Sequence, residues 1–232
     1  MTHDDQKGPE STDSTRPPTP ARLRRERERA EARESILSAA RDVARRDGWD
    51  AVTMRRLADE IEYSANFAYR YFTGRDDILL ALVREGFARL REAMTTAAEG
   101  QADTAVEAVR RASHAYLDFA LAEPDVYQLM YGLGGVRVPA TDAWDEGQAV
   151  GDVLTGLLAA AGDSEPERHV LRLWATAHGL IALLVVGRVG VDADGLHALL
   201  EDALTDCLTR ALPAAHTPGP SPEPTQRTPQ TP

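Results

Sequence analysis

The chain has 232 residues, is 43% apolar, and carries 26 Lys/Arg against 37 Asp/Glu for a formal charge of −11. That length allows one or two domains with a real core, and the composition is that of a soluble globular protein. A single cysteine, Cys207, excludes an intrachain disulfide framework, and the longest nearly apolar run, residues 173–187 with His178 inside it, is too short for a bilayer span.

The N-terminal stretch from His3 to Arg33 is charged and has no secretory signal, so the expectation is a cytoplasmic, reduced protein with no membrane partner. Charge is unevenly spread: residues 1–20 are net −2, residues 21–95 net +2, and residues 96–232 net −11. A polyanion could be held only by the middle segment.

Residues 1–20 and 213–232 are polar and proline-rich and read as disordered tails. Residues 21–29 form a mixed-sign arm, either a solvated helix extension or an added phosphate or minor-groove contact. Between the tails an all-α chain of about nine helices is expected, with no alternating strand pattern.

The first helix runs from Arg22 or Arg33 to Asp47, with Ile36, Leu37, Ala40, Val43 and Ala44 as its apolar stripe and Gly48 as its stop. Thr53 caps a short second helix with Met54, Leu57, Ala58 and Ile61 inward. Glu62-Tyr63 turns the chain, and Ser64 caps a third helix, Ala65 to Tyr71. Residues 73–76 read as a capping box for a long fourth helix carrying Ile78, Leu79, Leu82, Val83, Phe87, Leu90 and Met94. Further helices are expected over Thr104–Ala122, Asp125–Tyr131, Asp142–Ala161, Glu165–Val189 and Asp194–Leu212. The last one doubles its apolar residues at 199/200, 203/204, 207/208 and 211/212, a wider stripe than one packing partner needs.

Two short helices joined by a tight turn form a helix-turn-helix pattern. On this spacing Ala68 and Phe72 face inward, leaving Ala65, Asn66, Phe67, Tyr69, Arg70 and Tyr71 at or near the surface. Tyr hydroxyls and Arg70 suit phosphate oxygens, whereas Asn66 and Phe67 suit base edges and thymine methyls. The plain alternative is a small three-helix cap with a decorated surface.

Residues 30–90 resemble the DNA-binding domain of the tetracycline-repressor (TetR) family. The residues that carry the likeness are Ile36, Leu37, Ala39, Ala40, Gly48, Val52, Thr53, Met54, Leu57, Ala58, Ser64, Tyr69, Tyr71, Phe72, Arg75, Ile78 and Leu79. The resemblance implies base contacts from Ala65, Asn66 and Phe67, and phosphate contacts from Thr53, Tyr69, Arg70, Tyr71 and Arg75, with Arg55 and Ser64 added to the DNA-facing set. It also implies a helical ligand-binding and dimerisation domain over residues 91–212. Two departures stand out: Glu62 where the family's turn usually has glycine, and Asn66-Phe67 in place of the usual small pair. Residues 173–179, with Trp174, His178 and Gly179, look like the Trp-x3-His-Gly signature of one C-terminal subgroup, and residues 116–130 are similar to the same subgroup.

Large side chains from separate helices, Phe87, Tyr116, Phe119, Tyr127, Trp144, Trp174 and His178, are the candidate wall of an effector pocket; the alternative is that all seven are solid core. Leu199, Leu200, Leu204 and Leu208 are the candidate dimer interface, with Cys207 buried in the same stripe. No metal is expected, because the six histidines show no ligand spacing with a nearby carboxylate, and no cofactor is expected. The leading reading is a homodimeric, ligand-responsive regulator, a repressor released from a palindromic operator by a small molecule. The alternatives are a helical interaction module with a degenerate DNA-reading head, or an all-α enzyme. The enzyme lacks support: no nucleophile with an adjacent base, no paired carboxylates and no phosphate loop.

Overall fold

A computed structural model describes residues 19–100, 104–133, 135, 138 and 143–212. Within them the regular structure is helical throughout: α1 (Pro20–Asp47), a 3-10 turn (Trp49–Ala51), α2 (Met54–Glu60), α3 (Ala65–Tyr69), α4 (Arg75–Glu99), α5 (Ala105–Ala122), α6 (Pro124–Tyr131), α7 (Trp144–Ala160), α8 (Pro166–Val185) and α9 (Ala193–Ala211). The all-α expectation holds. The expected tails lie outside the described residues, except that Thr19 and Pro20 belong to α1: the Thr19 hydroxyl accepts from the Arg22 amide at 3.4 Å. Residues 21–29 are therefore an exposed extension of α1, laced by Arg22–Glu26 and Arg24–Glu28 pairs one turn apart.

Other boundaries moved for local reasons. At the start of α4, Gly74 precedes the first turn and the Asp77 carboxylate, not Asp76, accepts from the Thr73 amide at 2.8 Å. Ser64 makes no side-chain cap bond to α3, which ends at Tyr69 rather than Tyr71. Helix α8 stops at Val185, short of Val189, where Gly187 turns left-handed at φ 65°.

Helix α4 is the spine. Its first two turns bury Ile78, Leu79, Leu82 and Val83, and Ile78 and Leu79 close the small core of α1 to α3, formed by Ile36, Ala40, Val43, Leu57, Ala68 and Phe72. Each Ile, Leu, Val or Phe among these contributes about 1.5–3 kcal/mol on burial. Its remaining length carries Phe87, Leu90 and Met94 into the bundle of α5 to α9. Helices α4 and α6 approach so closely at Gly86 that a Cβ there would lie 2.6 Å from the Met130 sulfur. Two polar ties join the head to the bundle. The Trp49 indole N–H donates to the Asp125 carbonyl at 3.0 Å, and Arg41 pairs with Glu85 on α4 at 2.9 Å.

Candidate functional site

The turn between α2 and α3 is built on a residue that ought to resist it. Glu62 takes φ 58°, the only positive φ outside glycine among the described residues. It is held there by a Schellman pair of bonds, Glu62 N–H to the Asp59 carbonyl (3.3 Å) and Tyr63 N–H to the Ala58 carbonyl (2.9 Å). The turn projects α3 with Ala68 and Phe72 buried and with Asn66, Tyr69 and Arg70 exposed. Arg33 fixes this orientation from α1, donating to the Tyr71 carbonyl at 2.7 Å while its guanidinium lies 4.2 Å from the Phe72 ring centroid.

The structure redistributes the predicted DNA-facing residues. Thr53, Arg55, Ser64, Asn66, Tyr69 and Arg70 lie at the surface of the head, while the side chain of Ala65 lies outside the described residues. The Thr53 hydroxyl already accepts from the Arg56 amide at 3.2 Å, capping α2. Phe67 is half-buried, stacked at 4.1 Å between centroids on Tyr63 and tilted at 5.1 Å on Tyr71. Tyr63, 57% exposed, is thus the outermost ring of the face, and sequence reasoning missed it although it lies four residues before Phe67. Arg75, expected at a phosphate, has much of its guanidinium engaged within the head: its Nε donates to the Val52 carbonyl (2.8 Å) and its Nη2 to the Trp49 carbonyl (3.0 Å), bracing the turn before α2, with Asp50 and Asp76 at 3.9 and 3.7 Å.

Behind the head, the bundle encloses a cavity of about 780 Å³. It is walled by α4 (Val83, Phe87, Met94), α5 (Ser113, Tyr116), α6 (Leu129 to Tyr131), α7 (Gly147 to Thr155), α8 (Glu167 to Ala177) and Leu200 of α9. Phe87, Tyr116 and Trp174 of the predicted wall line it. Tyr127 and His178 stand behind the wall, and Phe119 is buried away from it under Arg89. The side chain of Trp144 lies outside the described residues. Sequence reasoning missed Tyr131, four residues after Tyr127 on α6 and edge-on to Phe87 at 5.6 Å, and the glycines of α7 that leave the space open.

A hydrogen-bonded chain backs the cavity. The Trp174 indole N–H donates to the Tyr116 oxygen (3.1 Å), the Tyr116 and Tyr127 oxygens are 2.8 Å apart, and the Tyr127 oxygen is 2.8 Å from His178 Nδ1. Burial pushes Tyr116, Tyr127 and Tyr131 far above their ordinary pKa, so each keeps its proton, and burial lowers His178, favouring neutral imidazole. One proton order satisfies every member. Trp174 donates to Tyr116, Tyr116 donates to Tyr127, and Tyr127 donates to His178 Nδ1. The reverse order would leave the Tyr116 proton without a partner.

The head and the bundle each match a family. The profile of bacterial regulatory proteins of the tetR family matches residues 36–82, and that of the tetracyclin repressor-like C-terminal domain matches residues 109–208. The chain belongs to the tetracycline-repressor family. An HTH-type transcriptional regulator of Mycobacterium tuberculosis is 26% identical over 222 residues, covering 79% of this chain and 95% of that protein. A solved structure of a Rhodococcus protein of unknown function is 29% identical, covers 75% of this chain and 94% of its own, and superposes with a TM-score of 0.66. A TetR-like regulator from the same genus, 21% identical, shares the fold with a TM-score of 0.60 over 77% of this chain and 96% of its own. The protein is a DNA-binding transcriptional regulator of that family.

In this TetR-family chain the predicted dimer stripe is mostly internal. Leu200, Leu204 and Leu208 are buried in the protomer's own core, as is Cys207, because that side of α9 packs on α5 and α8. Leu199 alone of the four is exposed, at 42%, and the apolar surface continues at Leu183 of α8 and at Val186 just past its end. The histidines also differ from expectation. His114 and His197 meet across α5 and α9 with Nδ1 atoms 2.8 Å apart, flanked by Glu201 and Asp118 at 3.0 and 2.9 Å. Even so, no group of three or more ligating side chains among the described residues is arranged to hold a metal. No described helix is long and apolar enough to cross a membrane.

Proposed function

We propose that this regulator is a repressor whose hold on a palindromic operator is released when a small molecule enters the cavity of the bundle. The observation that carries the reading is the placement of α6. Its C-terminal residues Leu129, Met130 and Tyr131 form part of the cavity wall, while the carbonyl of Asp125 in its first turn receives the Trp49 indole of the head. A molecule that displaces the wall therefore moves the tie that sets the angle of the head. Helix α4 supports the same coupling, since Val83 and Phe87 line the cavity and Ile78 and Leu79 pack against α1 to α3.

Two heads must span half-sites about one helical turn, ~34–36 Å, apart. A second copy is proposed on the outer face of α8 and α9, where Leu183, Val186 and Leu199 remain exposed. In the head, Arg55, Tyr69 and Arg70 are proposed to meet phosphates, and Asn66, with the Tyr63–Phe67 stack beside it, to meet bases. The acidic bundle is proposed to keep the duplex on the head.

The test is fluorescence anisotropy on a duplex carrying the promoter next to its own gene, across a salt series. Specific binding should exceed binding to a shuffled duplex by at least ~10³-fold. Leu183→Glu combined with Val186→Glu should give a folded monomer by light scattering with little operator affinity. Equal affinity for both duplexes would defeat the reading.

A further inference from the structure

We propose that the effector is an uncharged, predominantly apolar molecule, recognised by shape and aromatic faces. The proposal rests on the effector reading above and adds the chemical class of the ligand. The argument is an inventory of the polar atoms that line the cavity.

Among the described lining residues, the inner donors of Ser113, Tyr116, Thr155 and Trp174 already have partners inside the protein. The Ser113 hydroxyl donates to the Val109 carbonyl at 2.8 Å, and the Thr155 hydroxyl donates to the Gly151 carbonyl at 3.1 Å. The Trp174 indole donates to Tyr116, and the Tyr116 proton goes to Tyr127. Gln148 and Glu167 are exposed members of the lining, as are Leu171 and Trp174, so the cavity opens between α7 and α8. The Gln148 amide donates to Asp152 at 3.2 Å.

No Lys, Arg or His is among the described lining residues, and Glu167 is their one charged group. A carboxylate, sulfonate or phosphate would pass that carboxylate at the mouth, give up its water, and find no cation among the described lining residues. Such a group is costly to bury. A cation would be drawn to Glu167 but would leave its counter-charge behind at the mouth. What the interior offers is the rings of Phe87, Tyr116, Tyr131 and Trp174 with Leu, Val and Met between them, in a volume that suits a drug-sized or lipid-sized molecule.

The experiment uses the full chain and the uncharged fluorophore N-phenyl-1-naphthylamine, whose emission rises in apolar surroundings. Bound probe is then displaced by three competitors of equal chain length at pH 7.5, each below its micellar concentration: decan-1-ol, decanoate and decyltrimethylammonium. Decan-1-ol should displace the probe at a concentration at least tenfold lower than either charged competitor. A charged competitor that matches or beats decan-1-ol overturns this inference and leaves the effector reading standing.

Gly151→Leu gives the location. A Cβ at Gly151 meets no atom within 4 Å, so the new side chain enters the empty volume with the helix intact. The variant should keep its circular dichroism melt and lose the probe signal, and an unchanged signal would overturn the assignment to the cavity. Absence of any probe binding to the wild type would overturn the effector reading along with this one.

Discussion

Tyr127→Phe is the sharpest test of the chain behind the cavity. The substitution deletes one oxygen and keeps the ring, which is wholly buried on α6. In the wild type that oxygen accepts from Tyr116 and donates to His178, at 2.8 Å on both sides. The variant leaves the Tyr116 proton and the His178 Nδ1 lone pair without partners at once. A buried group left unsatisfied costs about 1–3 kcal/mol. Tyr116 bears that in full, whereas half-buried His178 recovers part of it from water. The expected loss is about 2 kcal/mol, or roughly 4–8 °C in Tm at about 2–4 °C per kcal/mol for a chain of this size. Tyr131→Phe is the control. It removes a hydroxyl outside the bonds of that chain while Tyr116 keeps the bond from Trp174, so about 1 kcal/mol or less is expected. Thermal and urea melts by circular dichroism measure both. If Tyr131→Phe costs as much as Tyr127→Phe, the proton order is wrong.

Glu62→Gly should stabilise the head by about 1 kcal/mol, because left-handed backbone costs a side-chain-bearing residue about 1–2 kcal/mol and glycine gives part of that gain back in chain entropy; a lower melting temperature would contradict the strain. Arg70→Ala should weaken specific and shuffled duplexes alike and reduce the salt slope by about one, whereas Arg75→Ala should lower the melting temperature by removing a brace from two carbonyls; the reverse pattern would exchange their roles. His178 and His114 are both lowered by burial, with His197 adding to the effect at His114, so the unfolded chain binds the proton first as pH falls. Their contribution to stability should be complete above the ordinary imidazole value near 6.5 and vanish as pH falls through the lower folded values. Urea midpoints between pH 8 and 5 report this, and midpoints that rise on acidification would refute it.

The helices were legible because their signals are local: Thr53 caps the helix it was expected to cap, and the α4 stripe from Ile78 to Met94 is buried as its period demanded. The site was less legible because its geometry depends on partners far along the chain. Nothing near Arg75 in sequence reveals that carbonyls 23 and 26 residues away would claim its guanidinium. The α9 leucines read as surplus because periodicity counts apolar faces without naming what covers them, and α5 and α8 cover them here. His178 read as a polar group facing a ligand, but its ring nitrogen answers Tyr127, 51 residues earlier. Glu62 was visible as an oddity, and the left-handed φ beneath it explains why a glycine would be at ease there.

The seam between head and bundle sets a rule for chimeras. The tie from Trp49 to the start of α6 and the pair from Arg41 to Glu85 on α4 lie apart from both the exposed residues of α3 and the lining of α7. If the bundle senses a ligand as proposed, a foreign head grafted onto it at the start of α4 should keep the response only if it brings an indole at position 49 and a guanidinium at position 41, with a core that fits Ile78 and Leu79. A head lacking the two side chains would fold and bind its own operator, yet ignore whatever fills the cavity. Under that proposal sensor and reader are interchangeable parts, joined by the packing of α4 and two side chains.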